Sequence, residues 1–133
     1  MELVAGLSAR VALTVSDADT AVALGSGDVP VLATPRVLAL AEAATVAAVA
    51  GELVDGDTTV GTRVELEHRA PTPVGPTVVA EARLTTVDGR RLIFAVQVSD
   101  GEAVVATGTV ERVVVDRGRF LARANGGGDE QVR

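Results

Sequence analysis

From residue 77 onward, hydrophobic and polar positions alternate with a period of two. Thr77 to Val87 sets Val78, Ala80, Ala82 and Leu84 on one face, with Thr77, Glu81, Arg83 and Thr85 mostly on the other. Arg91 to Ser99 repeats the pattern with Leu92, Phe94, Val96 and Val98. Successive side chains of a strand point to opposite faces, so each run predicts a strand with one face on a core. Asp88-Gly89 and Asp100-Gly101 are hairpin turn signals, which lead into a further strand from Ala103 to Val115. Val60 to Arg69 also alternates and stops at Pro71-Thr72-Pro73-Val74-Gly75-Pro76, a rigid break. Arg10 to Val15 predicts a first strand. Residues 16 to 33, with Asp, Gly and Pro among apolar residues, predict a loop or short helix able to cover a site.

Between Pro35 and Glu52 the period changes. Ala, Leu and Val dominate, and Glu42 is the only charge between Arg36 and Glu52. Thr34 suits an N-cap, Pro35 the first helical position and Gly51 the end. A helix apolar nearly all round is a buried one, and this one is too short and Ala-rich for a membrane span. The order is therefore strand, long helix, then four strands expected to form a meander. An antiparallel sheet with one apolar face and one buried helix gives a two-layer α+β domain, the sheet wrapping the helix. Residues 1–123 form that domain. Residues 124–133, Ala-Asn-Gly-Gly-Gly-Asp-Glu-Gln-Val-Arg, have nothing to pack and are expected to be a disordered tail.

Composition narrows the chemistry. The chain has 133 residues, 12 basic against 18 acidic, and a net charge of −6, which argues against nucleic-acid binding. With no cysteine and one histidine, thiolate catalysis, thiolate-bound zinc and a multi-histidine metal site are excluded within one chain. The N-terminus lacks the pattern of a signal peptide, so a cytoplasmic, non-membrane location is expected. Only Phe94 and Phe120 are aromatic, leaving a core of small, stiff side chains.

Two residues stand out. His68 shares the inward face of its strand with Val64 and Leu66, and its imidazole is the one group suited to proton transfer near neutrality. Alone it also fits a hydrogen-bonded core histidine. Glu42 would cost several kcal/mol as an unpaired buried carboxylate, a cost tolerated where the group has a partner or a task. On an exposed Ala-rich stripe it would need neither. Thr34 and Glu42 are eight helical residues apart, roughly 12 Å, too far for a hydrogen bond.

Ala33-Thr34, Glu42, Val60-Gly61-Thr62, His68, Val87-Asp88-Gly89-Arg90-Arg91-Leu92 and Glu111 to Phe120 together resemble the hotdog-fold thioesterases typified by fluoroacetyl-CoA thioesterase. The likeness spans residues 31 to 120 and implies a hotdog fold, a homodimer with sites at its interface, and an acyl-CoA substrate. It makes Thr34, Glu42 and His68 match the catalytic residues and Gly61 a glycine of the thioester site. No cofactor is implied beyond the coenzyme A that the substrate carries. The family's founding enzyme carries bulky phenylalanines in the segment before the threonine, forming a lid. Gly25-Ser26-Gly27-Asp28-Val29-Pro30 has none, so another acyl group than fluoroacetyl is expected. Glu42 then serves as base or direct nucleophile, and a protonated His68 near it as donor to the leaving thiolate. Thr34 orients water, attacks, or only caps the helix, and Gly61 N–H stabilises the oxyanion. Arg90 and Arg91, with Arg112, Arg117, Arg119 and Arg123, are phosphate-binding candidates by charge. The alternatives are a hotdog acyl-CoA hydratase or dehydratase, disfavoured because no Asp precedes His68 closely, and a non-catalytic acyl-CoA-binding dimer with Glu42 and His68 as a structural pair.

Overall fold

The computed structural model describes residues 2–126. Five strands, β1 (Ser8–Thr14), β2 (Asp57–His68), β3 (Thr77–Asp88), β4 (Arg91–Ser99) and β5 (Val104–Asp116), form one antiparallel sheet in the order β1-β3-β4-β5-β2. The expected four-strand meander is thus three strands long. β3, β4 and β5 are joined by the two Asp-Gly hairpins, whose glycines adopt positive φ (62° at Gly89, 97° at Gly101). The proline-rich link after β2 is no tight turn, and it lets β2 cross the sheet to pair with β5, Gly61 opposite Arg112 and His68 opposite Ala106.

The period-two reading of the core holds. Val78, Ala80, Ala82, Leu84, Leu92, Phe94 and Val98 are fully buried. Across the concave face lies the long helix. The chain adds a short helix α1 (Ala21–Leu24) before it, the long helix α2 is Thr34–Val49, and a 3-10 turn extends it to Glu52. Val37, Leu40, Ala41, Ala44, Thr45, Ala48 and Val49 pack inward at helical spacing. The expectation of burial all round is corrected here: Ala39, Ala43, Val46 and Ala47 are exposed, because Ala satisfies a core or a surface equally. Among the described residues no helix is long and apolar enough to cross a membrane.

Two further differences concern the ends. Ala33, not Thr34, is the N-cap of α2, and it makes no side-chain cap bond. A third helix, α3 (Arg117–Ala124), follows β5 where no element was expected; the Asp116 side chain caps it by accepting from Arg119 N–H. The tail expected from residue 124 lies, beyond Gly126, outside the described residues.

The segment before α2 is tied down by Asp19. Its carboxylate accepts from the backbone N–H and hydroxyl of Ser16 and from Arg36 Nε at 3.0 Å, while its carbonyl accepts from Ala33 N–H. The Ser16 N–H bond, with the Ser16 hydroxyl and Arg36, holds the carboxyl below its ordinary 3.8 against the opposing effect of burial. A lowered folded pKa means that the unfolded chain binds more protons as pH falls. This stabilisation is therefore present above about pH 4 and is lost as pH drops through the folded pKa. Asp19→Asn should lower stability by about 1–3 kcal/mol at pH 7 and flatten its fall between pH 5 and 2, as read by urea unfolding across that range.

Candidate active site

Thr34 and His68 meet at the N-terminus of α2. Thr34 Oγ1 lies 2.7 Å from His68 Nδ1. The inward parity of His68 on β2 aims the ring at the helix, and Thr34, as the first helical residue, turns its hydroxyl toward the ring instead of capping. Burial pulls the imidazole below its ordinary 6.5, opposed in part by the Ala70 backbone. The neutral ring is thereby favoured, contrary to the protonated His68 expected. Nε2 of the same ring is buried and has no hydrogen-bond partner among the described residues. Beside the pair opens a cavity of about 330 Å³ lined by Ala21, Ser26, Gly27, Val29, Leu32 and Thr34 among others. Part of the segment over residues 16 to 33, from Ala21 to Ala33, thus lines a cavity.

Glu42 has another partner. Its Oε2 accepts from Arg112 Nη1 at 3.1 Å. Arg112 is 6 % exposed and also donates from Nε to Thr59 Oγ1 (2.9 Å) and from Nη2 to the Thr59 carbonyl (3.1 Å). Burial draws the guanidinium below its usual pKa while the Glu42 charge opposes that. Sequence reasoning placed Arg112 among solvent-facing phosphate ligands; it is instead the buried counter-charge of Glu42. Its signal was parity. Val110, Arg112 and Val114 share the inward face, as Val64, Leu66 and His68 do.

Gly61 also gains a sharper role. A Cβ there would overlap Glu42 Oε2. The absence of a side chain is what lets the carboxylate lie against the β2 backbone, where the ladder is interrupted between Gly61 and Arg63. The expected proximity of His68 and Glu42 is not found within one chain. Gly61 and His68 are seven strand residues apart, roughly 23 Å. The four residues form two pairs, Thr34–His68 and Glu42–Arg112, at separate points along β2.

Arg90 and Arg91 lie away from both. Arg91 Nε is 3.2 Å from Glu111 Oε1 on the outer face. Arg90 Nε donates to the Val114 carbonyl (2.9 Å) and its Nη2 is 3.6 Å from Asp57. Arg91 is thus committed to a surface ion pair, and Arg90 lines a separate groove at the end of β5.

Residues 15–118 match the family model described as fluoroacetyl-CoA-specific thioesterase. The chain is 40 % identical over 93 residues to a fluoroacetyl-CoA thioesterase of Streptantibioticus cattleyicolor, covering 70 % of this chain and 67 % of that protein. It superimposes on the solved structure of the fluoroacetyl-CoA thioesterase FlK with a TM-score of 0.88 at 31 % identity, over 94 % of this chain and 97 % of the other. A hot-dog-like protein from Thermanaerovibrio acidaminovorans aligns with a TM-score of 0.83 at 27 % identity, over 90 % and 89 % of the two chains.

Removing one member of a buried ion pair strands the other. Arg112→Ala should cost about 2–4 kcal/mol in urea unfolding, and in a double-mutant cycle Glu42→Gln should relieve part of that loss. With a single imidazole in the chain, proton NMR should follow His68 directly and find its midpoint below 6.5.

Proposed function

Because the chain belongs to the fluoroacetyl-CoA-specific thioesterase family, we propose that it hydrolyses a small acyl-CoA, with Thr34, His68 and Glu42 as its catalytic residues. The observation that carries this reading is the 2.7 Å Thr34–His68 contact at the mouth of a cavity. A neutral imidazole can accept the hydroxyl proton as the Thr34 oxygen bonds to the thioester carbonyl carbon. The C–S bond then breaks and His68 returns that proton to the departing CoA thiolate. Glu42 takes a proton from the water that attacks the acyl-threonine carbonyl and, as the C–O bond to Thr34 breaks, returns it to the departing oxygen, releasing the acid and restoring the hydroxyl. The ion pair with Arg112 orients the carboxylate for this step, and the Gly61 N–H is the candidate oxyanion donor.

Two pairs roughly 23 Å apart along one strand cannot act on one carbonyl. A homodimer resolves the distance. β2 is a free edge of the sheet, and an unpaired edge is a template for another strand. Two copies joined antiparallel through β2, about a two-fold axis near Val64, bring Glu42 and Gly61 of one protomer beside the partner's Thr34 and His68. The exposed Ala39 and Val46, three and four residues from Glu42 and so on its side of α2, support a second copy there. The cavity beside Thr34 has small residues and no ring in the covering segment, which supports an acyl group larger than a two-carbon one.

Glu42→Gln and His68→Ala should each lower kcat by about 10²–10⁴-fold on a panel of short, branched and aromatic acyl-CoAs in protein that still unfolds cooperatively, although Glu42→Gln, which strands Arg112, should also lower the melting temperature. Loss of melting cooperativity in place of turnover would support the binding-protein alternative. Mixing the two inactive variants should restore roughly a quarter of wild-type activity, because random two-fold pairing leaves one intact site in half of the dimers. No recovery would return the site to a single chain. The acid limb of kcat/KM should have its midpoint below 6.5, since protonating His68 removes the proton acceptor. A single turnover in ¹⁸O-water that labels Glu42 would replace the threonine ester with a glutamyl anhydride.

A further inference from the structure

Glu42 is held by one oxygen. Its Oε2 accepts from Arg112 Nη1 at 3.1 Å, while Oε1 has no hydrogen-bond partner among the described residues. The side chain is 31 % exposed, so the carboxylate is within reach of water. Which oxygen is left for that water, and where it points, depends on the orientation of the guanidinium. An ion pair alone does not set this, because an arginine side chain turns about several bonds and its charge is satisfied over a range of directions.

The orientation is fixed from β2. Gly61 pairs with Arg112 and Thr59 with Val114, which makes Thr59 the diagonal neighbour of Arg112 on the inward face. Thr59 is itself buried. Its hydroxyl accepts from Nε at 2.9 Å and its carbonyl from Nη2 at 3.1 Å. The Nε–H and one Nη2–H leave the same edge of the planar fork. Thr59 therefore takes that whole edge with two oxygens of one residue, and Nη1 is left directed at Glu42. Gly61 keeps the path clear, since a Cβ there would stand 3.4 Å from Arg112 Nη1.

We propose that Thr59 is a positioning residue, which through Arg112 aims the Glu42 carboxylate at the water that completes turnover. The inference rests on the acyl-CoA reading above. Valine has the shape of threonine and keeps the carbonyl, but it leaves Nε–H buried without an acceptor. The guanidinium then turns to find one, and Nη1 moves off the carboxylate. Serine keeps the hydroxyl. Alanine opens room for a water, which satisfies Nε–H without fixing its direction. The choice of side chain thus separates stability from aim.

The test measures kcat, KM and melting temperature with an acyl-CoA that wild type hydrolyses. In Thr59→Val, kcat should fall about 10–100-fold, the size of a misplacement near 1 Å, with KM little changed, and Thr59→Ser should restore it. Thr59→Ala should melt above Thr59→Val yet keep the low kcat, and it carries the test if Thr59→Val does not fold. An unchanged kcat, or a loss that follows melting temperature across the three variants, overturns the proposal and leaves the thioesterase reading standing. In a Glu42→Gln background, Thr59→Val should cost no more than about twofold further, because Thr59 acts through Glu42. Losses that multiply overturn it. If wild type hydrolyses no acyl-CoA, that reading fails, and NMR of the Arg112 Nε–H decides the anchor. Exchange with water about tenfold faster in Thr59→Val, restored in Thr59→Ser, supports it, whereas equal exchange overturns it.

Discussion

A buried guanidinium must be paired from every side, and Arg112 is. Its Nη1 meets Glu42, its Nε the Thr59 hydroxyl and its Nη2 the Thr59 carbonyl. This constraint locks three elements together: the middle of α2, the start of β2 and the end of β5. Gly61 is part of the same lock, since any side chain there would push the Glu42 carboxylate out of place. A buried ion pair is weak evidence of net stability, because desolvation offsets much of its attraction. What it does supply here is position. It pins a carboxylate against the backbone of β2 in an otherwise Ala- and Val-rich interior.

The faces of the strands were legible because Val, Leu and Phe at period two leave no alternative burial. The pairing of β2 with β5 was not, since alternation tells which side faces inward and says nothing about which neighbour is chosen. The Pro71-to-Pro76 link excluded a hairpin with β3, and that exclusion was there to be read. Glu42 and His68 were visible as polar groups on apolar faces. Arg112 satisfied the same rule between Val110 and Val114 and was missed, because six arginines were weighed by charge and not by parity. The depth of α2 could not be read from its alanines, whose burial carries almost no free-energy difference. Helix α3 has three arginines in eight residues and an apolar side limited to Phe120, Leu121 and Ala124, too short to show a helical period, so the Asp116 cap was its main signal.

Spacing along β2 organises everything that follows. From its free end inward it carries Asp57 at the basic groove, Thr59 and Gly61 at the Glu42–Arg112 pair, and His68 at Thr34. These stations are too far apart for one carbonyl within one chain. In the proposed homodimer, a two-fold axis near the middle of the strand would fold the sequence of stations back on itself, and each reacting centre would combine one end of one strand with the opposite end of another. The free edge, otherwise an aggregation hazard, is the surface that this proposal uses to complete the site.

This arrangement also bears on selectivity. The Glu42–Arg112 pair joins the long helix to a strand, while the cavity proposed for the acyl group is bounded in part by residues 21 to 34, which Asp19 ties to the start of α2 through its carboxylate to Arg36 and its backbone carbonyl to Ala33 N–H. Substitutions at Gly27 or Val29 can reshape that cavity without moving Thr34, because Asp19, which is not part of the cavity lining, holds the helix entry. Small residues there leave the cavity open, where rings would close it.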